Sequence, residues 1–260
     1  MSQSGSTYTL VQRSFAWTVH LFTALAAIAG FLTLIKIQQH EYTHALWYMA
    51  LAVLIDGLDG TFARYLKVKT ILPEFDGSLL DNIVDYLNYV ITPVFFIYTK
   101  PDMLPPLLSI PILSLVILTS CYQFCQSDAK TPDHFFKGFP CYWNIAVFYM
   151  FIFSSSALIN AILLIALAIL IFVPIKYVYP SRLDYLTESQ PLKILMHCFS
   201  GVYGISCAVL LWQYPTAPKF WLGISLLYVF VYLYLSLYRS WYPLIKSKIE
   251  ARKAKTEEQK

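Results

Sequence analysis

Charge is what this sequence has least of. Asp, Glu, Lys and Arg make up 13% of its 260 residues, against about 25% in soluble domains. Nineteen basic and 15 acidic side chains cannot cover the surface of a soluble protein of this length. That excludes soluble enzymes and nucleic-acid binders as first readings, and a net charge of +4 does not argue for nucleic acid. Cysteine is also scarce. The five cysteines form no zinc-type CxxC pair, and their odd number assigns no disulfide. Cys121 and Cys125 lie one helical turn apart, which suits packing. No internal repeat and no low-complexity segment is present. What the chain does have is apolar residues, 58% of the total, and a mean hydropathy of +0.57. These describe an all-α integral membrane protein.

A helix needs about 20 apolar residues to cross the hydrocarbon core. Eight stretches qualify, at roughly 15–37, 45–66, 79–99, 104–125, 141–157, 159–178, 194–213 and 220–242. The apolar run from Cys141 to Val178 is too long for one span and is divided at Leu158–Asn160. An undivided run gives seven spans and puts the termini on opposite sides. Basic residues favour eight. With both termini inside, only Lys36, Lys100 and Lys219 of the 19 fall outside. The expected layout is a cytoplasmic segment over 1–14, one membrane catalytic domain over 15–243 and a basic cytoplasmic tail over 244–260. The first stretch is too long for a signal-peptide core and reads as a retained span. Ser2–Leu10 is polar, with no clear structure. The tail reads as disordered or as a helix on anionic lipid.

Four carboxylates stand where none is expected. Asp56, Asp59, Asp81 and Asp85 lie within or at the edge of spans two and three, and ionisable groups there mark function by default. A helix advances about 100° per residue. On span two, Asp59, Gly60, Ala63 and Arg64 therefore fall within about 80° of Asp56. On span three, Gly77, Asp85, Asn88, Tyr89 and Thr92 likewise fall within about 80° of Asp81. Each helix carries a polar stripe, and a short cytoplasmic loop brings the two stripes together. Four carboxylates cannot all stay ionised there without cations. Oxygen-only ligands suit Mg²⁺ or Mn²⁺, one or two ions, rather than Zn²⁺. Arg64 offers a cation for phosphate oxygens. Gly57, Gly60 and Gly77 leave room for a ligand beside the backbone; small residues at 57, 60 and 63 suit close helix packing equally well.

The order Asp56-Gly-Leu-Asp59-Gly60-Thr-Phe-Ala63-Arg64, then Gly77, Asp81 and Asp85, resembles the signature of the CDP-alcohol phosphotransferases. These are membrane enzymes of phospholipid synthesis, and spans one to six match the family's six-helix core. Twelve residues, Tyr65 to Asp76, separate Arg64 from Gly77, where most members have fewer. This spacing, the doubled Asp-Gly, Leu72-Pro73, the stretch Asp133–Pro140 and Tyr142-Trp143-Asn144 resemble a bacterial, choline-using branch.

The resemblance implies that CDP-diacylglycerol and choline give phosphatidylcholine and CMP, in the bacterial inner membrane, with the site on the cytoplasmic side. It implies metal ligation by Asp56, Asp59 and Asp81, with Asp85 as base and further ligand. Asp56, Gly60, Ala63, Arg64 and Gly77 would line the CDP site, and membrane lipids and a second copy of the chain would be partners. Choline carries a quaternary ammonium, which aromatic faces or carboxylates must hold. Tyr86, Asn88, Tyr89, Tyr142 and Trp143 are candidates, although an interfacial aromatic belt explains the aromatic ones as well. Lys137 and Arg182 would meet lipid phosphate or simply mark the cytoplasmic side.

Three rivals compete. His40-Glu41-Tyr42-Thr43-His44 matches the helical zinc motif HExxH, but His44 and Asp59 are 15 residues apart, roughly 22 Å along one helix. A short polar loop accounts for it. His20, His134 and His197 have no partner spacing. A cation or proton transporter would use the carboxylates but not Arg64 or the glycines. Another synthase of the same family would use serine or inositol.

Overall fold

The computed structural model describes residues 8–179 and 189–257, with side chains described to 242. The described chain is mostly helical. Helix α1 runs Leu10–Gln38, α2 Tyr42–Tyr65 and α3 Val68–Ile71; α4 covers Gly77–Tyr86 and α5 Thr92–Thr99. Between α4 and α5, Leu87–Ile91 is wound as a π-helix. Helix α6 spans Pro106–Cys125, α7 Trp143–Ile152, α8 Ala157–Leu170, α9 Gln190–Trp212 and α10 Lys219–Glu257. Among the described residues, five helices are long and apolar enough to cross a membrane: α1, α2, α6, α9 and Lys219–Tyr242 of α10. The protein is a multi-pass membrane protein. Large apolar side chains such as Leu21, Ile28 and Phe31 of α1 point outward, as lipid-facing positions do.

Two compact units are present: Met1–Ser120 with Tyr142–Ile162, and Cys121–Cys141 with Leu163–Lys260. In the first, α1 packs along α2, α4 and α5. Ala26, Ala29, Ala52, Ile55 and Val84 form the seam, where small residues let backbones approach. Asn88 donates to the carbonyls of Ala26 and Val84, both at 3.0 Å, and so ties α1 to the third span. In the second unit, β1 (Phe136–Lys137) pairs antiparallel with β2 (Lys176–Tyr177). Ser240 and Ser236 of α10 accept from the N–H groups of Lys176 and Val178.

Several expectations shift. Helix α1 starts inside the segment expected to lack structure. Thr9 and Gln12 cap it reciprocally, which satisfies two amides that no helical carbonyl reaches. The third span is one helical run, but wound differently at its centre. Pro93 has no N–H for the carbonyl of Tyr89 four residues back, and the π winding lies just before it. The break in the fifth apolar run falls at Phe153–Ser156, not at Leu158–Asn160. Ser154 takes a left-handed φ of 46°, and Ser155 and Asn160 bond each other. Three consecutive serines, Ser154–Ser156, were the available signal. Helix α8 stops at Leu170, because the chain turns there into β2. Two strands of two residues each accompany these helices, and the all-α reading stands. The tail continues as helical backbone to Glu257. All five cysteines are free thiols.

Candidate active site

Asp56 and Asp59 sit on the last turns of α2, and Asp81 and Asp85 on successive turns of α4. The short α3 and the turn after it close the helical hairpin. Asp76 fixes the start of α4 by accepting from the N–H groups of Ser78 and Leu79, at 3.0 and 3.1 Å. The polar stripes therefore meet. Asp56, Asp81 and Asp85 each offer a carboxylate oxygen within 4.8 Å of the others, and all three are half-buried. Asp59 is buried and stands outside this three-carboxylate group. The helical wheel places all four together; it cannot tell which of two acids a turn apart faces α4.

The donor set fits a divalent cation. Three oxygens of one sign, part-buried and this close, repel one another unless a cation lies between them. Tyr89, buried in the π-helical stretch, donates its hydroxyl to Asp56 Oδ2 at 2.6 Å. This bond fixes the orientation of that carboxylate. The Tyr142 ring lies 5.9 Å from that of Tyr89, tilted by 43°.

Arg64 is exposed, and its guanidinium folds back to Thr61 Oγ1 at 3.1 Å. It also lies over Gly60, where a Cβ would come within 3.2 Å of Arg64 Nη1. Gly57 faces open space. Gly77 differs, because His20 fills the position of its missing side chain: a Cβ would stand 2.6 Å from His20 Cε1. His20 packs on Phe75 with ring centroids 4.4 Å apart, and its buried Nε2 has no hydrogen-bond partner among the described residues. No spacing in the sequence pointed to His20, since its partner is 57 residues away. Ala63 packs against Ala16, Val19 and Leu72.

The weaker candidates divide. Tyr86 donates to the carbonyl of Ile117, and Asn88 is engaged with α1. Trp143 is fully buried, and its indole N–H donates to Ser120 Oγ at 2.8 Å. All three have structural duties. Lys137 belongs to the second unit and is paired with Asp128 at 2.5 Å. Arg182 lies outside the described residues. The HExxH match does not sit on one helix. His40 takes a left-handed φ of 59° before α2 begins, and Glu41 bonds Lys36 and His44.

Comparison with known proteins agrees with this geometry. A family model described as CDP-alcohol phosphatidyltransferase matches residues 16–173, which are the first six expected spans. A "Phosphatidylcholine synthase" of Legionella pneumophila is 61% identical over 244 residues, 94% of this chain and 96% of the relative. One of Legionella bozemanae is 62% identical over 84% of this chain and all of the relative. One of Borreliella burgdorferi is 40% identical over 73% of this chain and 81% of the relative. With two carboxylate-bearing helices converging inside the matched region, this chain belongs to the CDP-alcohol phosphatidyltransferase family of enzymes.

Proposed function

We infer that the chain transfers the phosphatidyl group of CDP-diacylglycerol to choline, giving phosphatidylcholine and CMP. The observation that carries the reading is the meeting of Asp56, Asp81 and Asp85 within 4.8 Å, in a chain whose similar relatives are phosphatidylcholine synthases. Asp56, Asp81 and Asp85 would hold Mn²⁺ or Mg²⁺, with Asp59 contributing from the next turn of α2. When bound, such a cation supplies neutralisation of the diphosphate and of charge on the leaving CMP. Asp85 accepts the proton of the choline hydroxyl. The choline oxygen then forms a bond to the phosphorus next to diacylglycerol, and the bond from that phosphorus to CMP breaks. Arg64 swings from Thr61 to meet phosphate oxygens, and Gly60 leaves space for the nucleotide beside the α2 backbone. The site lies at the cytoplasmic face of the bacterial inner membrane, with both termini on that face and homodimers expected.

The test is CMP release from CDP-diacylglycerol by the purified chain with Mn²⁺, given choline, serine or inositol in turn. Release with choline alone is expected. Release with serine or inositol and not choline would replace the acceptor, and no release with any alcohol would remove the reading.

A further inference from the structure

Choline has a hydroxyl at one end and a trimethylammonium at the other. The ammonium has no N–H to donate, so only carboxylates or the faces of aromatic rings can attract it. Four aromatic side chains, Tyr86, Tyr89, Tyr142 and Trp143, are the candidates, and the structure distinguishes them. Tyr86 is anchored through its hydroxyl to Ile117, and Trp143 is sealed in the interior on Ser120. Tyr89 and Tyr142 lie ring beside ring. Their centroids are 5.9 Å apart and their planes open at 43°. They make a V rather than a stack. One arm of the V is fixed to the site, since the Tyr89 hydroxyl holds Asp56 at 2.6 Å. The other arm, Tyr142, is partly exposed.

The V is joined to the carboxylates through Asp56. The Asp56 oxygen that defines the carboxylate group is within 4.8 Å of an Asp85 oxygen. With its hydroxyl on Asp85, choline carries its nitrogen two carbons away, and a ring face attracts a cation within roughly 6 Å of its centroid. Resting on the acceptor assigned above, we propose that Tyr142 and Tyr89 seat the trimethylammonium head of choline, with Tyr142 as the contact that sets acceptor specificity. Tyr89 both positions Asp56 and forms the inner wall.

Two variants of the full-length protein in detergent with Mn²⁺ test this. Tyr142→Leu removes the ring and is expected to raise the KM for choline about tenfold while moving that for CDP-diacylglycerol less than about twofold. Tyr142→Phe keeps the ring and is expected to stay within about threefold of the wild-type choline KM. An unchanged choline KM in Tyr142→Leu overturns the proposal. So does an equal rise for both substrates, or a Phe variant as impaired as Leu. Calorimetric titration with tetramethylammonium reads the seat without turnover. Binding by the wild type that weakens in Leu and persists in Phe supports the seat even if choline proves not to be the acceptor. No binding, or equal binding by all three, overturns it.

Discussion

At the residue scale, one hydrogen bond joins the fold to the chemistry. Tyr89 is held by the π-helical stretch of the third span and holds Asp56 of the second. Removing its hydroxyl should leave the fold intact and release the carboxylate. Tyr89→Phe is therefore expected to lower kcat roughly 10- to 150-fold, since a hydrogen bond to a charged group is worth about 1.5–3 kcal/mol. It should also shift the Mn²⁺ titration to higher concentration, and an unshifted titration would remove the positioning role. Asp85→Asn is expected to abolish turnover while CDP-diacylglycerol binding stays measurable. Wild-type turnover in that variant would exclude Asp85 as the base. The carboxylates were legible because an acid in an apolar span is costly and therefore informative. Tyr89 was legible only as a polar residue on the stripe. Its bond to Asp56 joins residues 33 apart, and no local pattern carries that. His20 was not legible at all, because a histidine in an apolar helix gives no sign of what it touches.

At the element scale, Gly77 has two readings: room for a nucleotide and room for His20. A Cβ there would meet His20 Cε1 at 2.6 Å, far inside any normal contact. Gly77→Ala is expected to destabilise the protein by about 1–3 kcal/mol, as overpacking does. Pairing it with His20→Ala should recover melting temperature and activity together. Recovery of melting without activity would mean that the nucleotide needs the space as well. Gly57→Ala, with nothing within 4 Å, should be silent in a melting assay. In the second unit, the loop before β1 is held by ion pairs. The hydrogen bond from Lys137 keeps the Asp128 carboxyl below its usual range. Burial opposes ionisation of Asp133, but bonds from Lys176 and Thr131 outweigh it. A carboxyl that titrates lower when folded adds stability above its unfolded value, near 4, and loses it as pH falls through the folded one. Wild type and Asp133→Asn should differ slightly in melting temperature above about pH 5, and the difference should shrink as pH falls below about 4.

At the scale of the molecule, spans one, two and four were readable as apolar runs, and so were the last two. The runs at 141–157 and 159–178 were readable too, but the helices they form are shorter, Trp143–Ile152 and Ala157–Leu170. Helix α7 has 10 residues, about 15 Å, against a hydrocarbon core of about 30 Å. It still runs alongside the third span. Tyr142 lies by Tyr89, Phe151 by Phe96, and Lys100 reaches over both Phe151 and Tyr42. Asn160 also reaches the backbone of Met103. The break at Phe153–Ser156 thus sits at the end away from the carboxylates, as a fifth crossing requires. Eight crossings, with residues 1–14 and 244–260 flanking one catalytic domain, are our proposed layout. Reporter fusions at the two ends should report the same side; opposite sides would require an odd number.

The shortness of α7 has a kinetic consequence. Tyr142 pairs with a residue 12 positions beyond Gly77, so α7 begins about 18 Å along the third span. The first N–H groups of α7 have no helical carbonyl to reach, and a membrane tolerates that only where protein or water satisfies the backbone. We propose a water-filled access path that ends at Tyr142. The acceptor would then come in from the aqueous phase and the donor sideways from the bilayer. Two substrates with separate doors have no reason to queue, so initial-rate patterns should fit random rather than ordered addition.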